Sequence, residues 1–199
     1  VTRFWRHLPW LILVTASAYA GPTQIESYYS CRSCHGDDGL GSPAINAPRI
    51  AGQLEGYIAR QLANYRDGVR GAHAGDTYGR QMALMANGLD SEKITELASH
   101  ISVLSSWESK GEPVKSADSA LYQPCAACHG TKGEGNAALL SPRIGGMDAR
   151  YIATQLRHFR DGVRGTSPSD SPGQTMRAAL PASLDDTGIE KLARYIAGM

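Results

Sequence analysis

Apolar residues in this chain recur at helical spacing, and each stripe occurs twice. Ile58, Leu62 and Tyr65 stand at i, i+4 and i+7, and their run stops at Asp67-Gly68, where glycine can take the left-handed closing conformation. Ile152, Leu156 and Phe159, followed by Asp161-Gly162, repeat the design. Further on, Ile94, Leu97, Ala98, Ile101 and Leu104 predict a second amphipathic helix, with Asp90 or Ser91 as N-cap and Glu92 in its first turn. Its twin carries Ile189, Leu192, Ala193, Ile196 and Met199. Period-two alternation is scarce, so the chain reads as all-α, with two or three short helices in each half and most of its 22 glycines in the loops between them.

One apolar run has no such spacing. Leu8 to Val14 follows Arg3, Arg6 and His7 and precedes Ala18-Tyr19-Ala20, small residues that suit a signal peptidase cut before Gly21. The run is too short to span a bilayer. Residues 1–20 are therefore expected to be an export signal that leads to the periplasm, with an uncleaved anchor as the alternative. They hold two of the 20 basic residues and none of the 19 acidic ones, so the remainder has 18 against 19, a formal charge of −1. With no basic patch or Lys/Arg run, nucleic acid is not expected as a partner.

The two halves align at an offset of 94. Pro48-Arg49-Ile50 matches Pro142-Arg143-Ile144, Tyr57-Ile58-Ala59 matches Tyr151-Ile152-Ala153, and Arg66 to Gly71 (RDGVRG) returns as Arg160 to Gly165. Two copies predict two similar domains and not a solenoid, which needs at least three repeats. The expected division is 21–108 and 120–199, joined by a Gly-, Pro- and Ser-containing linker at 109–119.

All four cysteines fall into a motif that obeys the same offset: Cys31-Arg32-Ser33-Cys34-His35 and Cys125-Ala126-Ala127-Cys128-His129. Composition alone predicts about 0.002 chance occurrences of CxxCH in a chain like this one. On one helical turn, positions i, i+3 and i+4 share a face, so two thiols can reach two vinyl groups while the imidazole rises to an iron. The motif thus predicts two covalent haem c groups, with His35 and His129 as proximal ligands. A zinc ribbon needs its CxxC pairs far closer than these, a thioredoxin-like dithiol needs a βαβ context, and a plain disulfide leaves the histidines unexplained. Each half is too small to bury a comfortable core by itself, and a haem would complete it.

The repeat also selects a second axial ligand. Met82 and Met176 are equivalent, whereas Met85 aligns with Ala179 and Met147 with Gln53; Met85 is the fallback in the first half. Methionine opposite histidine suits an electron-transfer haem. His73, His100 and His158 have no equivalents and are read as surface or packing residues. After the methionines the offset becomes 95, because Leu89-Asp90 pairs with Leu184-Asp185, which implies one inserted residue near Pro181.

Together, CRSCHG with NAPRIAGQ, YIARQL and RDG in the first half, and CAACHG with SPRIGGM, YIATQL and RDG in the second, resemble the dihaem class I cytochromes c of the c4 type over essentially all of residues 21–199. The resemblance implies two tandem helical cytochrome c domains about a pseudo-twofold axis, with their haems close at the interface. It implies a periplasmic electron carrier of a respiratory chain, not an enzyme, working toward a terminal oxidase. Its partners would be redox proteins, a cytochrome complex or dehydrogenase as donor and a terminal oxidase as acceptor, with room for peripheral association with a membrane. It also implies that the Pro48 and Pro142 carbonyls orient His35 and His129, and that Arg49 and Arg143 pair with haem propionates. Two alternatives share the haem motifs: a haem-bearing subunit of a dehydrogenase complex, and a dihaem peroxidase-type enzyme. Two departures stand out: Gly21 to Ser30 leaves little room for an N-terminal helix, and Pro124 is expected to keep a helix from extending backward from Cys125.

Overall fold

A computed structural model describes residues 25–105 and 118–199. The expected signal, 1–20, and nearly all of the expected linker, 109–119, lie outside the described residues. Among the described residues each half contains four α-helices: α1 (Tyr29–His35), α2 (Glu55–Arg66), α3 (Thr77–Ala86) and α4 (Ser91–Val103), then α5 (Ser119–His129), α6 (Ala149–Arg160), α7 (Ser171–Ala179) and α8 (Asp186–Ala197). Among the described residues there is no β-strand, only isolated bridges at Ser42–Ala47 and Asn136–Ser141.

The predicted stripes form the cores. Ile58 and Leu62 of α2 pack on Ile94, Leu97, Ala98 and Ile101 of α4, and Ile152 and Leu156 of α6 pack on Ile189, Leu192, Ala193 and Ile196 of α8. Asp90, and not Ser91, caps α4: its carboxylate accepts from the Lys93 N–H at 2.8 Å, and Asp185 does the same for Gly188 in α8. After each Pro-Arg-Ile segment a glycine ties the loop to the last helix, Gly52 N–H to Ile101 O at 3.1 Å and Gly146 N–H to Ile196 O at 2.9 Å.

Each half has more helices than its stripes announced. The methionine segments are themselves helices, hidden because one side of each faces a cavity instead of a protein core. The second correction concerns Pro124. Helix α5 runs straight through it, whereas the first half has only a 3₁₀ turn, Glu26–Tyr28, ahead of α1. Proline's fixed φ is itself helical; what is lost is one bond to the Ala120 carbonyl, at a cost of about 3 kcal/mol. On the same helix Tyr122 is 2% exposed and lies against Tyr195, ring centroids 5.7 Å apart.

The halves meet across a polar seam that obeys the duplication. Arg70 donates to Gln61 (2.7 Å), Gln155 (2.9 Å) and the Tyr151 hydroxyl (3.3 Å). Its twin Arg164 donates to Gln155 (2.8 Å), Gln61 (2.9 Å) and the Tyr57 hydroxyl (3.3 Å). Every contact maps onto its partner by an exchange of halves, the mark of a pseudo-twofold axis. Gln53 breaks the symmetry, giving its amide N–H to Arg143 O at 2.8 Å and accepting from the Arg143 N–H at 2.9 Å, where its twin Met147 is buried in the second core.

Candidate cofactor sites

Helices α1 and α5 end on the two CxxCH motifs, so Cys31, Cys34 and His35 leave one helical turn together, as do Cys125, Cys128 and His129. No disulfide joins the four cysteines. Burial raises the pKa of the Cys31 thiol and pushes that of Cys125 up to about 11, so these sulfurs are protonated and not poised as thiolates. Among the described residues no three His, Cys, Asp or Glu side chains converge as a metal cluster.

Each chain segment after the motif turns sharply to bring a carbonyl under the imidazole. Nδ1 of His35 lies 2.9 Å from Pro48 O, and Nδ1 of His129 lies 2.9 Å from Pro142 O. Gly41 makes the approach close enough: its φ is +82°, its N–H bonds His35 O at 2.8 Å, and a Cβ there would stand 2.5 Å from the Pro48 carbonyl carbon. Gly135 repeats this beside Pro142, with φ +78°. Desolvation lowers the pKa of both histidines, and the bond to the proline carbonyl opposes it. Each ring is therefore neutral with its proton on Nδ1, and Nε2 carries a free lone pair.

Tyr28 and Tyr122 complete this framework and were not singled out by sequence reasoning. They are 0% and 2% exposed, and their hydroxyls donate to Gly36 O at 2.8 Å and Gly130 O at 2.7 Å, holding the residue that follows each histidine. The signal was available, since the two tyrosines stand 94 apart.

One continuous cavity of about 790 Å³, walled mostly by apolar side chains, joins the two motifs. Cys31, Cys34, His35 and Met82 line it from the first half, and Cys125, Cys128, His129 and Met176 from the second. Met85 also reaches the wall but is half exposed. His73 is exposed and accepts from the Gly75 N–H at 3.0 Å, His100 packs on Tyr28, and His158 lies 3.7 Å from Asp76; none of the three lines the cavity. Arg49 and Arg143 do line it, but their guanidiniums already have partners: Arg49 donates to Ala51 O (3.3 Å) and Ser105 Oγ (3.2 Å), and Arg143 donates to Gly52 O.

A largely apolar space, two thiols on one helical turn, a neutral imidazole with its far nitrogen engaged, and thioethers in the same wall fit a haem c in each half. The family described as Cytochrome c matches residues 23–105 and again 119–199. The chain is 32% identical over 183 residues to cytochrome c4 of Azotobacter vinelandii, a match that covers 85% of this chain and 84% of that one. It is 28% identical to a thiosulfate dehydrogenase electron acceptor of Stutzerimonas stutzeri, over 85% of this chain and 79% of that one. Its fold is similar to the crystal structure of reduced recombinant cytochrome c4 from Pseudomonas stutzeri, with a TM-score of 0.69, 28% identity, and coverage of 86% and 94%. With two CxxCH turns opening on one cavity and these matches along both halves, the chain belongs to the cytochromes c, as a dihaem electron-transfer protein of the cytochrome c4 family with two covalent haem c groups.

Proposed function

We propose that the protein is a periplasmic carrier of single electrons between redox proteins of a respiratory chain, with a terminal oxidase downstream. Bound haem supplies an iron that alternates between ferrous and ferric. The chain's residues hold and tune it: His35 with Met82 in the first domain, 21–108, and His129 with Met176 in the second, 120–199, across a linker at 109–119. The Pro48 and Pro142 carbonyls orient the two imidazoles, and Arg49 and Arg143 sit in the cavity wall within the reach of haem carboxylates. Export by residues 1–20 matches the oxidising compartment in which haem is attached. The relative that accepts electrons for thiosulfate dehydrogenase supports a dehydrogenase as one class of donor.

The observation that carries this reading is the pair of in-register methionines in the cavity wall, on helices that contain no His, Asp or Glu. A peroxidase needs an open iron with an acid/base group above it. The test is carbon monoxide added to the reduced protein, with a peroxide turnover assay. The expected result is no binding and no turnover for the native protein, and binding at one haem in each of Met82→Ala and Met176→Ala. Stoichiometric binding and rapid peroxide reduction by the native protein would refute closed irons, and an open iron in Met85→Ala but not in Met82→Ala would reassign the first ligand.

A further inference from the structure

RDGVRG is the longest of the matched segments in the duplication, and haem attachment and ligation leave its last arginine without a role. Arg70 and Arg164 are 6% and 8% exposed, and both line the haem cavity at the seam. Each guanidinium has five N–H donors, and its bonds to the seam glutamines and tyrosine use three of them. Both Nε–H groups are buried without an acceptor. Among the described residues neither arginine forms an ion pair. Asp76 and Asp170 line the same cavity, but their carboxylates cap α3 and α7, accepting from Gly79 N–H at 2.8 Å and Gly173 N–H at 3.1 Å.

Two buried cations bonded only to neutral groups are costly unless an anion compensates them. Their field is felt locally: burial raises the pKa of the Tyr57 phenol, but Arg164 and Arg70 beside it outweigh burial and hold it below its ordinary value. The group that fills this cavity brings its own anions, since a haem carries two propionates. We propose that Arg70 and Arg164 each donate a spare guanidinium N–H to a haem propionate, so that one pair of seam cations sets the reduction potentials of both irons. Arg49 and Arg143 line the same cavity, each with its guanidinium already donating to a backbone carbonyl, and are left for the second propionate of each haem. The seam is shared, because the same two glutamines bind both arginines, so a change at either one is felt in both halves. The sign follows from charge: a nearby cation disfavours the ferric iron, and its removal lowers the potential.

This inference rests on the two-haem assignment, so haem content and the sulfur-to-iron charge-transfer band are recorded on every variant to separate failure of that assignment from failure of this one. Spectroelectrochemical titration is run on the full-length dihaem protein and on Arg70→Gln, Arg164→Gln, Arg70→Lys and Arg164→Lys, with Arg66→Gln, a surface arginine paired with Asp67, as the control. With both haems present, each Gln variant should lower both potentials and shift the propionate bending mode in resonance Raman. Each Lys variant, which keeps the charge and loses the planar fork, should keep its potentials near native, and Arg66→Gln should change nothing. Potentials that stay at control values in both Gln variants would overturn the proposal. So would Lys variants that fall as far as the Gln variants, because the arginines would then matter for shape and not for charge.

Discussion

Three buried histidines differ in what meets their nitrogens. His35 and His129 have a proline carbonyl on Nδ1, which keeps Nε2 unprotonated and aimed at chemistry. His100 is 8% exposed, lies tilted on Tyr28 with centroids 5.2 Å apart, and has no partner for Nε2. Burial lowers its pKa below the ordinary 6.5, with Glu96 opposing. In the unfolded chain the same ring takes a proton near pH 6.5, so just below that pH the unfolded state binds more protons than the native one. Its contribution to stability is therefore complete above pH 6.5 and is lost as pH falls from there toward the depressed folded value. His100→Phe keeps the ring contact and deletes the proton, so the difference in melting temperature between about pH 8 and about pH 5 should shrink. An undiminished difference would assign the acid sensitivity to other groups.

Among the elements, α3 and α7 show how local rules and function meet. Both start on an aspartate, Asp76 and Asp170, buried at 3% and 4% exposure. The close approach requires glycine at the third helical position, where a Cβ would stand 2.0 Å from the carboxylate in each case. Their ends differ: α3 continues to Ala86, whereas α7 stops at Ala179 because Pro181 drives Leu180 into an extended conformation, ψ 130°. That early stop falls where the offset between the halves changes from 94 to 95. Asp76→Ala should cost about 1–2 kcal/mol and loosen the turn that carries Met82, seen as a weaker sulfur-to-iron charge-transfer band in the oxidised protein. Asp90→Ala removes an exposed cap from α4 at about 1 kcal/mol and should leave the band intact. Equal loss of the band in both variants would mean that general destabilisation, and not the α3 cap, controls the methionine.

At the scale of the whole molecule, two small cores flank one large cavity, and a haem in each half would complete its core. Replacing Cys34 and His35 by alanine should therefore unfold most of the first half and leave the second with its haem, read as about half the helical ellipticity and one haem per chain. A fully helical chain with one haem would show that the first core stands alone. The seam adds cohesion of a different kind: the Arg70 and Arg164 networks, Gln53 to Arg143, Arg60 to Leu140 O at 2.8 Å and Arg150 to Pro43 O at 3.1 Å all join one half to the other.

The sequence by itself determined the helical class, the duplication, the two CxxCH motifs and the register that pairs Met82 with Met176. Those features are written within a few residues, as a covalent motif or a 3.6-residue stripe, or at one constant offset, and both kinds of pattern survive without knowledge of the fold. Tertiary structure alone decided the rest. It carried α5 through Pro124, with Tyr122 of that helix buried against Tyr195. It gave Arg49 and Arg143 partners at the cavity wall and brought Arg70 and Arg164 to a shared, buried seam. Arg70 meets Tyr151 across 81 residues and Arg164 meets Tyr57 across 107, distances over which no local pattern operates. Only the rotation that sets one half against the other makes neighbours of them.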